Sequence, residues 1–201
     1  MEFNPSKKEI ILERQLNTLD RFVLDFCKLL DNYVVVSGYV SILFGRSRAT
    51  EDVDLLIPKI KKSEFKELWN RISSSDFECL NTTDVNEAFR LLDEYAIRFS
   101  KKGNFVPNME FKMIKNDIEE YSFSNKIKVI IGKENLFISP LEMQIAFKLF
   151  LAAEGTNKEI KIDKDVEDAR YLYKLFLEKI NKEELSNLLD KLNIKERIKW
   201  L

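Results

Sequence analysis

The sequence contains no histidine among its 201 residues, and this absence narrows the chemistry that it can perform. Without an imidazole, the chain lacks a histidine general base, a histidine-activated nucleophile and a histidine-ligated zinc site. Acid–base and metal chemistry must then depend on other groups. The natural route that remains is a metal ion held by carboxylates.

Glycine, proline and cysteine are also scarce, with five, four and two residues. No signal peptide and no run of about 18 apolar residues occurs, so we expect neither secretion nor a membrane span. Cys27 and Cys79 lie in apolar stretches, which is typical of buried thiols in a reducing cytoplasm. A net charge of −1 excludes a global basic field for nucleic acid, although the 33 basic residues can cluster locally. The composition predicts a well-packed globule of one domain or two small ones.

The most informative stretch of the sequence is residues 33–57. Tyr33–Val36 is short, apolar and β-branched, which predicts a buried strand. A Ser-Gly pair at 37–38 ends that strand, and residues 39–44 favour a short helix. A polar connection then leads to a second strand, DVDLLI, at residues 52–57.

Two aspartates lie inside this second strand. Successive residues of a strand point to opposite faces. Asp52 and Asp54 therefore share one face, while Val53 and Leu55 share the other. Two acids at a solvated strand end are common, but acids within an otherwise apolar strand are costly to bury without a partner. Hard oxygen ligands at this spacing suit Mg²⁺, which binds through one or two carboxylates and substrate phosphates.

This order of strand, small-residue pair, short helix and Asp-hydrophobic-Asp-hydrophobic resembles the DNA polymerase β-type nucleotidyltransferase superfamily. The motif Arg48-x-Thr50-x-Asp52-Val53-Asp54-Leu55 is most similar to its small prokaryotic members, the toxin-type nucleotidyltransferases of the AbiEii-like group. The resemblance is close over this motif and looser over the C-terminal helices. It implies an α+β fold, in which a mixed sheet flanked by helices precedes a C-terminal helical part.

The resemblance also implies roles for residues around the motif. Asp52 and Asp54 would hold Mg²⁺ or Mn²⁺, and nearby residues would bind the nucleoside triphosphate. The family usually has Gly-Gly or Gly-Ser after the first strand, so the serine of the Ser-Gly pair is a departure from its pattern. The implied nucleotide-binding residues are Ser37, Gly38, Arg46, Arg48 and Thr50, with the two arginines neutralising the leaving pyrophosphate.

Residues 105–114 predict a later strand with Glu110 and Lys112 on one face. In the superfamily, a third acid on a strand beside the Asp-x-Asp strand completes the metal site. The resemblance therefore implies that Glu110 ligates a metal or deprotonates the attacking hydroxyl. The alternative is an exposed glutamate on a half-buried strand.

Two later positions complete the implied site. The helix beginning at Ser139-Pro140 carries Lys148 among apolar residues, and this lysine either extends to solvent or, as the resemblance implies, faces the triphosphate. Asp165 and Asp168 match the motif that follows in the family. We expect one of them to pair with Lys148 and the other to face substrate or to cap the helix. Otherwise they form a solvated acidic first turn of a helix.

Periodicity predicts the remaining elements. Residues Ser6–Asp31 indicate one long helix with a Ser6–Glu9 capping box. The helix at Ser139-Pro140 is expected to run to about Glu154, and the next helix to span 162–178. A change from mixed α/β to all helix indicates a division into a nucleotidyltransferase domain, residues 1–135, and a C-terminal helical domain, residues 136–201.

The sequence therefore predicts a cytoplasmic enzyme that transfers a nucleoside monophosphate from an NTP to an acceptor hydroxyl by a two-metal mechanism. The resemblance favours RNA, such as a tRNA end, as acceptor, and an antitoxin protein as partner. Transfer to a protein or to a small molecule such as an aminoglycoside is the first alternative. The second is a degenerate, non-catalytic nucleotide-binding protein, which the serine of the Ser-Gly pair would support.

Overall fold

A computed structural model describes residues 1–152 and 163–201 of the chain. Within these residues, one nine-stranded mixed sheet forms the centre of the molecule. Its strands are β1 (Glu2–Asn4), β2 (Glu9–Ile11), β3 (Val34–Val36), β4 (Asp52–Ile57), β5 (Phe77–Cys79), β6 (Ile97–Lys101), β7 (Asn108–Met113), β8 (Ile127–Ile131) and β9 (Glu134–Ile138).

Helices flank this sheet and follow it. They are α1 (Thr18–Cys27), α2 (Gly38–Leu43), α3 (Lys62–Ser73), α4 (Val85–Glu94), α5 (Asp117–Ser124), α6 (Leu141–Leu151), α7 (Lys164–Leu175) and α8 (Lys182–Lys191), with 3₁₀ segments at Pro5–Lys7 and Lys195–Trp200. The expected α+β architecture is therefore confirmed. The predicted end of α6 near Glu154 and the predicted start of α7 at residue 162 lie outside the described residues.

The strand order is β1-β2-β8-β9-β3-β4-β7-β6-β5. The β2–β8, β3–β9 and β4–β7 pairs are parallel, and the other neighbouring pairs are antiparallel. Strand β4, which carries the Asp-x-Asp motif, therefore lies in the interior of the sheet between β3 and β7. This position fixes its backbone on both sides.

The two faces of the central strands meet different surroundings. On one face, the Phe26 ring of α1 packs against the rings of Phe99 in β6 and Phe111 in β7, with centroids 5.5 and 6.1 Å apart. Val53 and Leu55 are also fully buried. The acidic residues of β4 point to the opposite face, which α5 and α6 partly cover. The apolar alternation of the strands thus leaves the acids on the face that has a cavity.

The predicted helix over Ser6–Asp31 is wrong in its first half. Ile10 lies in β2, where it is fully buried and pairs with Val129 of β8, and the helix begins only at Thr18. Its capping box uses Asn17 and Asp20, not the predicted Ser6–Glu9 pair: each side chain accepts a hydrogen bond from the other residue's backbone N–H. Long-range pairing with β8 therefore decides the structure of a stretch whose apolar pattern resembles a helix.

The predicted division after residue 135 falls within β9, whose residues pair with β8 and β3. Helix α6 follows that strand, and helices α7 and α8 both pack on α6. The division into two domains stays a prediction. Among the described helices, none is long and apolar enough to cross a membrane.

Candidate active site

Three carboxylates lie on one face of two neighbouring strands. Asp52 and Asp54 alternate with buried Val53 in β4, as the sequence predicts. Strand β7 runs parallel to β4, and their register places Glu110 directly beside Asp54. The sheet therefore brings the predicted third acid beside Asp54, although the two residues are 56 positions apart in the chain.

A lysine ammonium lies between two of these carboxylates. Lys112 Nζ is 3.1 Å from Asp54 Oδ1 and 2.5 Å from Glu110 Oε1. The other oxygen of Glu110 accepts a hydrogen bond of 2.9 Å from Arg98 Nη2 of β6. Glu110 is thus paired with two basic side chains. The sequence pattern had placed Lys112 on the face of Glu110, but the spacing alone gave no sign that its side chain reaches back to Asp54.

The surroundings of Glu110 and Lys112 determine the pKa values of both side chains. Burial acts to raise the pKa of Glu110, but the hydrogen bond and charge of Lys112, followed by those of Arg98, outweigh it and lower the pKa. Burial likewise acts to lower the pKa of Lys112, while Asp54 and Glu110 raise it above its ordinary value. Both groups are therefore held in their charged forms at neutral pH.

Asp52 is the more exposed acid of the motif. The Thr50 hydroxyl donates to the backbone oxygen of Asp52 at 2.8 Å and lies 3.3 Å from its Oδ1 atom. Thr50 therefore stabilises the backbone where the chain enters β4, at the first aspartate of the motif. The contact positions Asp52, and the predicted contact of Thr50 with nucleotide stays a prediction.

The donor set fits a hard divalent cation. Carboxylate oxygens are the ligands that Mg²⁺ and Mn²⁺ prefer, and Asp54 and Glu110 already accept a cationic group between them. In residues 1–152 and 163–201, no three acidic or cysteine side chains are gathered closely enough to hold an ion as they stand. Asp52 and Asp54, next to each other on one face of β4, are the residues best placed to hold one.

The Ser-Gly pair forms a sharp turn between β3 and α2. Ser37 has φ 64° and ψ −140°, a conformation that suits glycine and is costly for serine. The side chain of Gln144 from α6 holds this residue on both sides. Its Oε1 accepts from Ser37 N at 3.1 Å, and its Nε2 donates to Ser37 O at 2.5 Å. Gln144, which sequence reasoning missed, therefore stabilises the turn.

Gly38 is needed for a close contact. A Cβ atom at this position would lie 3.0 Å from both terminal nitrogens of the Arg48 guanidinium. The guanidinium therefore sits directly against the backbone of the Ser-Gly turn. This places one of the predicted phosphate-binding arginines at the turn, and its contact with phosphate stays a prediction.

The other predicted charged residues form a buried cluster around Asp168, which is fully buried. Arg46 and Arg48 both donate to its carboxylate, Arg48 at 2.5 Å, and Lys148 Nζ lies 3.2 Å from it. Lys148 also lies 2.6 Å from Asp165 Oδ1. Its side chain is only 3% exposed, so it does not extend to solvent. Three cations share two carboxylates, which leaves one positive charge in excess.

A cavity of about 400 Å³ opens beside Asp54. Strands β3, β4 and β7 form its floor, and helices α5 and α6 form its walls. Its lining is mostly apolar, with Asp54, Lys112 and Glu119 as its charged members; the apolar members include Leu56, Ile118, Met143, Phe147 and Phe150. The Phe147 and Phe150 rings are stacked, with centroids 6.1 Å apart. The cavity can therefore take a planar or apolar group next to the carboxylates.

The mixed sheet with its flanking helices and its C-terminal helices defines a nucleotidyltransferase fold. Two solved structures show the same architecture. One is an antigenic nucleotidyltransferase-like protein from Paracoccidioides brasiliensis, with a TM-score of 0.52 and 18% identity over 90% of this chain and 88% of that chain. The other is ANT(2")-Ia in complex with adenylyl-2"-tobramycin, with a TM-score of 0.54 and 14% identity over 89% of this chain and 97% of that chain.

At these identities, the likeness concerns the fold. No protein-family model matches the sequence, and no curated protein matches it. The fold is therefore the one that the resemblance implies. Membership of the AbiEii-like group stays a prediction.

Proposed function

We propose that this protein transfers a nucleoside monophosphate from an NTP to an acceptor hydroxyl. One observation carries the proposal: Asp52 and Asp54 share a face of β4, and Asp54 lies beside Glu110 in register and borders a 400 Å³ cavity. Carboxylates placed next to a substrate-sized cavity are what metal-dependent nucleotidyl transfer requires. The nucleotidyltransferase fold of the chain supports the same reaction.

Asp52 and Asp54 would hold Mg²⁺ or Mn²⁺, because they are the adjacent carboxylates of the motif and Asp54 borders the cavity. A divalent ion bound there would supply positive charge and orientation at the α-phosphate of the NTP. The residues of the chain do the rest of the positioning. Lys112, which lines the same cavity, faces the space where an acceptor would lie.

The triphosphate would lie at the Ser-Gly turn. Gly38 lets the Arg48 guanidinium approach the backbone of the turn closely, and Arg46 and Lys148 lie in the same cluster. Because three cations share Asp165 and Asp168, the excess positive charge is available to phosphate oxygens. This supports the role that the resemblance implies for Gly38, Arg46, Arg48 and Lys148. Asp165 and Asp168 would position the cations and would not themselves contact the nucleotide.

The acceptor is a separate proposal. The resemblance supports an RNA hydroxyl, such as a tRNA end, in a toxin–antitoxin setting with an antitoxin partner. An RNA acceptor requires basic side chains along one edge of the site to bind phosphates. A polycationic acceptor such as an aminoglycoside would instead require an acidic pocket, and the mostly apolar lining of the cavity argues against it.

The test is label transfer. Purified protein is incubated with Mg²⁺, each α-labelled NTP in turn and total tRNA, and RNA, protein and small molecules are then separated. We expect label in one acceptor fraction with wild type, and at least a 100-fold loss with Asp54→Asn. Asp93→Asn, which removes an exposed acid from α4, is the matched control and should keep full activity.

The fraction that carries the label decides the acceptor. Label in RNA supports the toxin-type reaction, whereas label in protein or in a small molecule supports the corresponding alternative. Equal activity of wild type and Asp54→Asn would contradict the proposed site.

A second candidate is a nucleotide-binding protein without catalysis. Lys112 and Arg98 already neutralise Glu110, and Ser37 holds a conformation that suits glycine, so two features depart from a typical active site. In this case calorimetry would show NTP·Mg²⁺ binding to wild type without any label transfer. Absence of both binding and transfer would contradict both candidates.

A further inference from the structure

The Lys112 ammonium lies between the carboxylates of Asp54 and Glu110 and contacts both. The β4–β7 register sets Lys112 next to Leu56, two residues beyond the Asp54–Glu110 pair and on the same face. From there its ammonium reaches back to contact both carboxylates, at 3.1 and 2.5 Å. Its side chain is 32% exposed, so the contact is made at the wall of the cavity.

Arg98 adds a second cation to the same group. It lies opposite Glu110 on β6, and its Nη2 atom is 2.9 Å from Glu110 Oε2. Both oxygens of Glu110 are therefore engaged by basic side chains. A metal ion at Glu110 would have to compete with these two cations for the carboxylate oxygens, so Glu110 is poorly placed to complete a metal site with the Asp-x-Asp motif.

The charges of the group lead to the same conclusion. Lys112 and Arg98 together bring the same positive charge to the three carboxylates that a second divalent ion would bring. An additional ion between Asp54 and Glu110 would have to displace the Lys112 ammonium or lie against it, and like charges at that distance repel strongly. Only the Asp52 side of the motif is left for a metal ion.

We propose that Lys112 takes the place of the second metal ion, so that this site binds a single divalent ion through Asp52 and Asp54. Glu110 is then a positioning residue, which holds the Lys112 ammonium beside Asp54 and does not ligate metal. This inference rests on the proposed function. It changes the predicted two-metal mechanism to one with a single ion and a tethered ammonium.

The test counts bound ions. Mn²⁺ is titrated into the purified protein, free Mn²⁺ is followed by electron paramagnetic resonance, and the same variants are assayed for label transfer. We expect one ion per chain in wild type. In Lys112→Met, which removes the ammonium but keeps an aliphatic side chain, we expect a second ion with at least tenfold higher affinity than any second ion in wild type.

Two variants keep the result interpretable. Lys112→Arg retains the charge and should still bind one ion. Lys128→Met removes a lysine of similar exposure from β8, where it lies 3.8 Å from Glu9, and it should leave the count at one. Thermal melts of wild type and the three variants test whether the fold is kept. Binding of the first ion by Lys112→Met shows that its Asp-x-Asp motif is intact.

The outcomes separate the two proposals. Two ions in wild type, or one ion in a folded Lys112→Met, would overturn the role of Lys112 even if label transfer is normal. One ion in wild type and two in Lys112→Met supports it. If wild type binds no ion and transfers no label, the proposed function fails and the inference fails with it.

Discussion

At the scale of single residues, Ser37 shows how the turn before α2 is held. Its φ of 64° lies in the region that favours glycine, and a serine there costs about 1–3 kcal/mol. The two hydrogen bonds between the Gln144 side chain and the Ser37 backbone offset part of that cost. Serine at this position, where the superfamily that the sequence resembles usually has glycine, is therefore accommodated by a residue of α6.

We expect Ser37→Gly to stabilise the protein by about 1 kcal/mol. Glycine removes the strain, although its greater freedom in the unfolded chain cancels some of the gain. Urea unfolding measures the difference. The control Ser63→Gly, at an exposed position of α3, should instead destabilise by about 0.5 kcal/mol. If Ser37→Gly loses as much stability as the control, the backbone of Ser37 is not strained.

The buried thiol of Cys27 gives a pH-dependent prediction. Burial raises its pKa to about 12, although a hydrogen bond with Tyr33 acts in the opposite direction. In the unfolded chain a thiol ionises near pH 8.5, so the unfolded state releases its proton first. Folding stability should therefore fall as pH rises above about 8.5 and continue to fall until the folded pKa is reached.

Comparison with Cys27→Ala isolates this effect. Between pH 7 and pH 10, wild type should lose up to about 2 kcal/mol of stability relative to the variant, as measured by urea unfolding. The cavity left by the smaller side chain lowers the variant's stability equally at each pH and leaves the slope unaffected. Parallel pH profiles of the two proteins would show that Cys27 is not responsible.

At the scale of elements, the Asp168 cluster joins three parts of the chain. Asp168 lies on α7, Arg46 and Arg48 lie on the connection from α2 to β4, and Lys148 lies on α6. Tyr171 of α7 adds a hydrogen bond of 2.9 Å to the Phe44 backbone oxygen. The C-terminal helices are thereby fixed to the loop that precedes the Asp-x-Asp motif.

We expect Asp168→Asn to lower the free energy of unfolding by about 3–5 kcal/mol, because it leaves buried cations without their carboxylate. Urea unfolding provides the measurement. Glu167→Gln is the matched control on the same helix. Its side chain is 43% exposed and pairs with Arg170, so the change should stay within about 0.5 kcal/mol. Similar effects of the two substitutions would refute the importance of the cluster.

Sequence periodicity predicted the central elements well and the N-terminal edge of the sheet, strands β1 and β2, poorly. Strands β3, β4 and β7 each show a local apolar pattern, so the shared face of Asp52 and Asp54 followed from spacing alone. The three-residue strand β2 is too short to show alternation and exists because of β8, which is distant in sequence. Helix α5 was not predicted, since its apolar residues are few.

Some contacts in the candidate site could likewise not be predicted from the sequence. Lys112 could be placed on the face of Glu110, but side-chain reach decides that its ammonium contacts Asp54. Gln144 gave no signal at all, because its contact with Ser37 joins residues 107 positions apart. Local spacing specifies which residues share a face, whereas tertiary packing specifies which of them touch.

At the scale of the whole molecule, the sheet order predicts a gradient of stability. Strands β3 and β4 lie in the interior, and β1 and β5 form the two edges. Amide hydrogen exchange should be slowest in the interior pair and at least about tenfold faster in the edge strands, because edges open locally without unfolding the core. Mass spectrometry of exchanged protein, corrected for intrinsic rates, tests this gradient. Uniform protection across the sheet would contradict it.

The same strand order has a consequence for synthesis of the chain. Strands β3 and β4 pair with each other, but their outer neighbours β9 and β7 end only at residues 138 and 113. Proteins emerge from the ribosome N-terminus first, and unpaired strand edges invite association with other chains. A nascent chain therefore carries Asp52 and Asp54 on an open edge well before Glu110 and Lys112 are made. The candidate site is completed only after β7 and helix α6, which carries Lys148, have been synthesised.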